Sequence, residues 1–148
     1  MQIPYREWIF NCDVEATRKA YDSIVSGGAE ECGCSYCLNF IEARQKIYPT
    51  EVLDLFATLR INYRKEVEAY QMGRSVSGLH LYGAWFHFVG RIVNQPDAPE
   101  KLTEQFSIDF FTKSDLAAKA FAGRPLIQVE ITTEIPWLLK EEKDPDPL

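Results

Sequence analysis

Long apolar runs are missing from this chain. The longest candidate, LHLYGAWFHFVG at 79–90, is shorter than the roughly 18 residues that a membrane-spanning helix needs, and His80, Gly83 and His87 interrupt it. No membrane association is expected. The first ten residues, MQIPYREWIF, lack a basic segment, a long apolar stretch and a small-residue cleavage site, so the protein is expected to stay in the cytoplasm where it is made. An excess of positive charge is missing too: 16 Lys and Arg face 22 Asp and Glu, a net charge of −6, and the basic residues form no stripe. Binding to a phosphate backbone or an anionic membrane relies on clustered Lys and Arg, so nucleic acid is excluded as the main partner. Histidine is scarce, with two in the chain. No Ser-His-Asp pattern, H-E-x-x-H or EF-hand spacing occurs, and GGAEECG lacks the Lys-Ser/Thr of a phosphate-binding loop. The carboxylates Glu30 and Glu31, Glu66 and Glu68, and Glu141 and Glu142 read as solvated faces rather than a general acid and base.

What is present describes a folded domain. With 148 residues, 46% hydrophobic and 13% aromatic, the chain can bury a core large enough to offset the entropy of ordering it. Trp8, Phe10 and Cys12 alternate with polar neighbours and predict a strand over 6–12. Asp13 then caps a helix carrying Ala20, Tyr21, Ile24 and Val25, stopped by Ser26-Gly27-Gly28. Helical spacing recurs over 36–48 and again after Thr50, with Val52, Leu53, Phe56 and Leu59. From Lys65 onward the period changes to strands: KEVEAYQM, LHLYGAWFHFVGRIV, EQFSIDFFT and PLIQVEITTEI, with a short amphipathic piece, DLAAKAFAG, before the last. No crossover helices separate these strands. The prediction is one α+β domain over 1–140, with a four- or five-stranded, mainly antiparallel sheet and three N-terminal helices packed mainly on one face. The acidic, proline-rich end at 141–148 has nothing to bury and predicts a flexible tail. The aromatics Tyr82, Trp85, Phe86, Phe88, Phe106, Phe110 and Phe111 fall on adjacent strands, and read as core unless one sheet face is left uncovered.

The chemistry concentrates in ECGCSYC, which holds three of the four cysteines. Clustered thiols in a chain with no sign of secretion read as reduced rather than as a disulfide framework. Three readings stand. Cys32, Cys34 and Cys37, on a glycine-bearing loop before a helix, can converge on a zinc ion, with a fourth ligand needed from elsewhere. They can be small buried residues without chemistry. Or Cys34 and Cys37, near a helix N-terminus that favours thiolate, can form a dithiol that exchanges disulfides, Cys34 attacking and Cys37 resolving. A thioredoxin-like arrangement would place C-x-x-C directly after a strand, whereas here it follows a helix and SGGAEECG. The Ile135-Pro136 bond offers a second feature of that kind only if it is cis.

Direction along the chain selects His87 as the fourth ligand. If every connection reverses, the helix after Asp13 carries the cysteine loop roughly 18 Å away from Cys12. The strand starting at His80 then descends about 23 Å to bring His87 toward that loop. The predicted metal site is therefore Cys32, Cys34, Cys37 and His87, without Cys12 or His80. CGCSYCLNF, LYGAWFHFVG and the terminal I-P-W together resemble a group of small uncharacterised bacterial proteins over most of the chain. That resemblance implies a bacterial or phage setting and carries no reaction. The function expected from the residues is a non-enzymatic binding or regulatory protein, braced by zinc and recognising a protein partner rather than a small molecule. The alternative is a thiol-disulfide oxidoreductase or redox sensor.

Overall fold

The computed structural model describes residues 1–98 and 100–145. The first predicted strand is the second arm of a hairpin. β1 (Gln2–Tyr5) pairs antiparallel with β2 (Trp8–Cys12), Tyr5 facing Trp8, and Arg6 takes a left-handed φ of 50° in the turn. Asp13 then caps α1 (Val14–Ser23), its Oδ1 accepting from the Ala16 N–H at 3.0 Å and so satisfying one of the helix's orphan donors. Three more helices follow: α2 (Gly28–Cys32), α3 (Ser35–Ile47) and α4 (Thr50–Leu59). The remaining strands are β3 (Glu68–Arg74), β4 (His80–Asn94), β5 (Glu100–Thr103), β6 (Phe106–Phe111) and β7 (Leu126–Ile135). DLAAKAFAG yields only a short 3-10 turn, Lys119–Phe121.

All pairings are antiparallel, in the order β1-β2-β4-β7-β6-β5, with β3 also on β4. The sheet therefore has seven strands, more than the four or five expected, because MQIPY and EKLT add short strands at its two margins. Pro4 is compatible with the first, since an edge strand can forgo a donor. Among the described residues no helix is long and apolar enough to cross a membrane.

β4 organises the molecule. One edge pairs with β7 from His80 to Val89, and the other is shared: β3 takes residues 80–85 and β2 residues 90–94. The interval between them would leave backbone groups unpaired. Instead α1 closes it: the Tyr21 hydroxyl donates to the His87 carbonyl at 2.9 Å and accepts from the His87 N–H at 3.2 Å, while Thr17 Oγ1 accepts from the Val89 N–H at 2.9 Å. Even-numbered side chains of β4 from His80 to Phe88 enter the core, where Tyr82 stacks on Phe40 of α3, Phe86 meets Phe56 of α4, and Phe88 meets Phe10. Each such ring contributes roughly 1.5–3 kcal/mol by leaving water. Phe106 and Phe110 join them, whereas Trp85 and Phe111 stay half-buried.

The segment after β7 crosses the start of α3. Buried Asn39 holds it at both sides, donating to the Pro136 carbonyl at 3.1 Å and accepting from the Leu138 N–H at 2.6 Å. Further on, Glu142 accepts from the Ser35 hydroxyl, and Asp144 pairs with Arg74 and His80. Of the tail predicted at 141–148, residues 146–148 lie outside the described residues.

Candidate metal centre

The end of the short α2 and the start of α3, meeting at a glycine, bring the thiols together. Cys32 ends α2, and Gly33, at a φ of 69°, turns the chain while its N–H donates back to the Ala29 carbonyl at 3.2 Å. Cys34 is the N-cap of α3, its Sγ accepting from the Cys37 N–H at 3.4 Å, and Cys37 lies in the first turn. The three sulfurs lie within 4.8 Å of one another and can hold a metal ion. Cys32 and Cys34 are exposed, Cys37 is buried, and all are free thiols. Their protonation differs by position. The Cys34 N–H, then the neighbouring thiols, donate to Cys32 and pull its pKa below the usual thiol value. Burial pushes Cys37 upward, and its hydrogen bonds to Cys32 and Cys34 push the same way.

A buried contact between Glu66 and Arg44 fixes α2 in place. The Glu66 carbonyl accepts from the Gly28 N–H at 2.7 Å, and its carboxylate accepts from the Ala29 N–H at 3.3 Å. Arg44 of α3 reaches the same carboxylate at 3.3 Å and Glu30 at 3.0 Å. The Glu66 side chain is 0% exposed. Glu66 is therefore not the solvated residue that the sequence suggested, and Arg44 went unremarked there. The available signal was Arg44 itself, four residues after Phe40 on the buried side of a helix.

The predicted fourth ligand, His87, and the two residues set aside, Cys12 and His80, lie elsewhere. Cys12, at the end of β2, is buried, and the loss of hydration raises its pKa to about 11. His87 does not join the thiol cluster. Its Nε2 sits 3.1 Å from Gln128 Oε1, which also accepts from the Asp115 N–H, so the ring donates from Nε2 and keeps its lone pair on Nδ1. Burial lowers its pKa and keeps it neutral. It is His80 that meets the cysteine segment: its ring lies 6.0 Å from that of Tyr36, and the hydroxyl of Tyr82, two residues on, donates to the Tyr36 carbonyl at 2.7 Å. Both His80 nitrogens are engaged, Nε2 with Asp144 at 2.7 Å and Nδ1 with Gln71 at 3.2 Å. Among the described residues, no fourth Cys, His, Asp or Glu atom joins the three thiols.

Beside α2 lies a cavity of about 370 Å³, walled by Ile24, Gly28, Glu31, Glu68, His87 and Phe121 among others. It shares α2 with the thiol cluster, and the charge of Glu68 acts on Cys32. No protein family, curated protein or solved structure compared with the chain matches it.

Proposed function

We propose that this is a small non-enzymatic binding or regulatory protein in which Cys32, Cys34 and Cys37 hold a zinc ion. The observation that carries the reading is the convergence of three free thiols within 4.8 Å at the start of a helix. Zinc–thiolate bonds of about 2.3 Å place sulfurs about 3.8 Å apart, so the site would close by at most about 1 Å on taking up metal. The helix start adds amide dipoles that favour three negative sulfurs. The acidic balance of the chain supports a protein partner over nucleic acid. Zinc content of the protein, purified without chelator and measured by native mass spectrometry, should be one per chain. It should fall to zero in Cys34→Ser and Cys37→Ser and persist in Cys12→Ser. A metal-free wild type, or zinc that survives Cys34→Ser, would sink the proposal.

A second reading has a specific observation in its favour: the exposed Cys32 is the acidified thiol and the buried Cys37 is its neighbour. In a disulfide exchange the Cys32 thiolate would attack one sulfur of a substrate disulfide, releasing the other as thiolate. Cys37 would then give up its proton and close a Cys32–Cys37 disulfide, passing two electrons to a substrate that leaves as two thiols. This assigns the attack to Cys32 rather than to Cys34, as the sequence had suggested. Rapid alkylation of Cys32 by iodoacetamide in the metal-free native protein at neutral pH would favour this chemistry over the brace.

A further inference from the structure

The geometry points to a metal centre that is coordinatively open, in which the chain supplies three thiolates and an exchangeable neutral nitrogen donor of the imidazole class enters from outside. The inference rests on reading the cluster as a metal site and goes further, to what that site binds. Zinc takes four ligands, and a closed structural site finds all of them in the protein. Here, among the described residues, no Cys, His, Asp or Glu side chain beyond the three thiols places a ligand atom in the cluster. His80 uses both nitrogens, on Asp144 and Gln71, and His87, whose Nε2 donates to Gln128, keeps its Nδ1 lone pair outside the cluster. Cys12 lies at the end of β2 beside Gly90, outside the thiol cluster. Two of the three thiols are exposed, so the side of the metal away from buried Cys37 faces solvent.

Charge decides which outside donor fits. Three thiolates around a divalent ion leave a net charge of about −1, and Glu31 and Glu68 stand nearby in a chain of net charge −6. A thiolate or carboxylate from outside would be repelled. Zinc accepts nitrogen as readily as sulfur, so the neutral donor that suits it is imidazole, displacing a bound water. The cavity beside α2 has both acidic (Glu31, Glu68) and apolar (Ile24, Phe121) side chains in its lining, and none of the three thiols.

Cobalt(II) substitution tests this, because its visible d–d bands report the ligand set directly. Cobalt-loaded protein titrated with imidazole should show a saturable shift of those bands at one imidazole per metal. The same shift should occur in His80→Ala, His87→Ala and Glu68→Ala, with circular dichroism confirming that each variant is folded. Glu68 is half-buried on a strand, so that variant keeps the test alive if a histidine variant does not fold. Cobalt bands insensitive to imidazole in the wild type, or sensitive only after one of these side chains is removed, would show a closed site and overturn the inference while leaving the metal reading intact. Failure to take up cobalt or zinc at all would overturn both. A short peptide with one histidine serves as a second probe: tighter binding than free imidazole identifies a protein side chain as the donor's source, and equal or weaker binding identifies a small molecule.

Discussion

At the scale of the residue, the thiol cluster depends on one backbone conformation. Gly33 holds a φ of 69°, where an L-residue with a Cβ is strained, and nothing lies within 4 Å of the position a Cβ would take. Gly33→Ala should therefore act through the backbone alone, costing about 1–2 kcal/mol. If that strain is felt only when Cys32 and Cys34 are held together, zinc affinity should fall about tenfold or somewhat more, since 1.4 kcal/mol is a factor of ten. Competition with a chromophoric chelator measures this, and unchanged affinity would show that the turn does not hold the thiols. Gly28 presents the opposite case. A Cβ there would lie 2.5 Å from the Val67 carbonyl oxygen, a backbone atom that cannot swing aside. Gly28→Ala should displace α2 from β3 and lower stability and metal affinity together. The sequence showed that Gly33 lets the chain turn between Cys32 and Cys34. It did not show the contact at Gly28, because Val67 lies far along the chain and only the folded sheet brings it close.

At the scale of the element, α2 is a helix of five residues with little cohesion of its own, and the Glu66–Arg44 pair ties it to β3 and α3. Burial raises the Glu66 pKa from 4.5 to about 7, although Arg44 and the Ala29 N–H pull it the other way. The native state thus holds this proton more tightly than the unfolded chain does. The stability associated with it is complete below about pH 4.5 and is lost as pH rises through about 7, a change of about 3 kcal/mol. Urea midpoints between those pH values should fall for the wild type and vary less for Glu66→Gln, which carries no titrating proton there. Equal pH profiles would remove Glu66 as the source. The Asp13 cap of α1 and the strand periods of β4 and β7 were legible because they are local signals. Pairing partners were not. The β1–β2 hairpin turns at Tyr5-Arg6-Glu7-Trp8 without glycine, asparagine or proline in the turn, so no turn chemistry separated MQIPY from the strand after it.

At the scale of the whole molecule, a helix completes the one edge of β4 that two strands share. β3 and β2 arrive at the same edge of β4 from opposite ends of the N-terminal helical region, and the gap between them falls at His87. The direction of travel along the chain placed His87 beside the cysteine loop. The path failed at its assumption that every connection reverses, since β2 and β3 occupy one edge and α2 interposes a short extra turn. What the sequence could not contain was a side chain standing in for a strand. Tyr21 does so by donating to one backbone group of His87 and accepting from the other, and its own burial raises the hydroxyl's pKa, keeping it protonated for that double role. Tyr21→Phe keeps the ring against Phe121, 5.6 Å away, and removes only the oxygen. It leaves the His87 N–H and carbonyl without their partner, at roughly 1–3 kcal/mol for each group that water does not reach. The urea midpoint should fall with an unchanged slope, and the His87 amide should exchange with solvent faster than its neighbours in the β4–β7 ladder. A loss below about 0.5 kcal/mol, within the scatter of ordinary surface substitutions, together with unchanged His87 exchange, would mean that water closes the gap as well as the hydroxyl does. In that case α1 would be dispensable to the edge of β4 that β3 and β2 share.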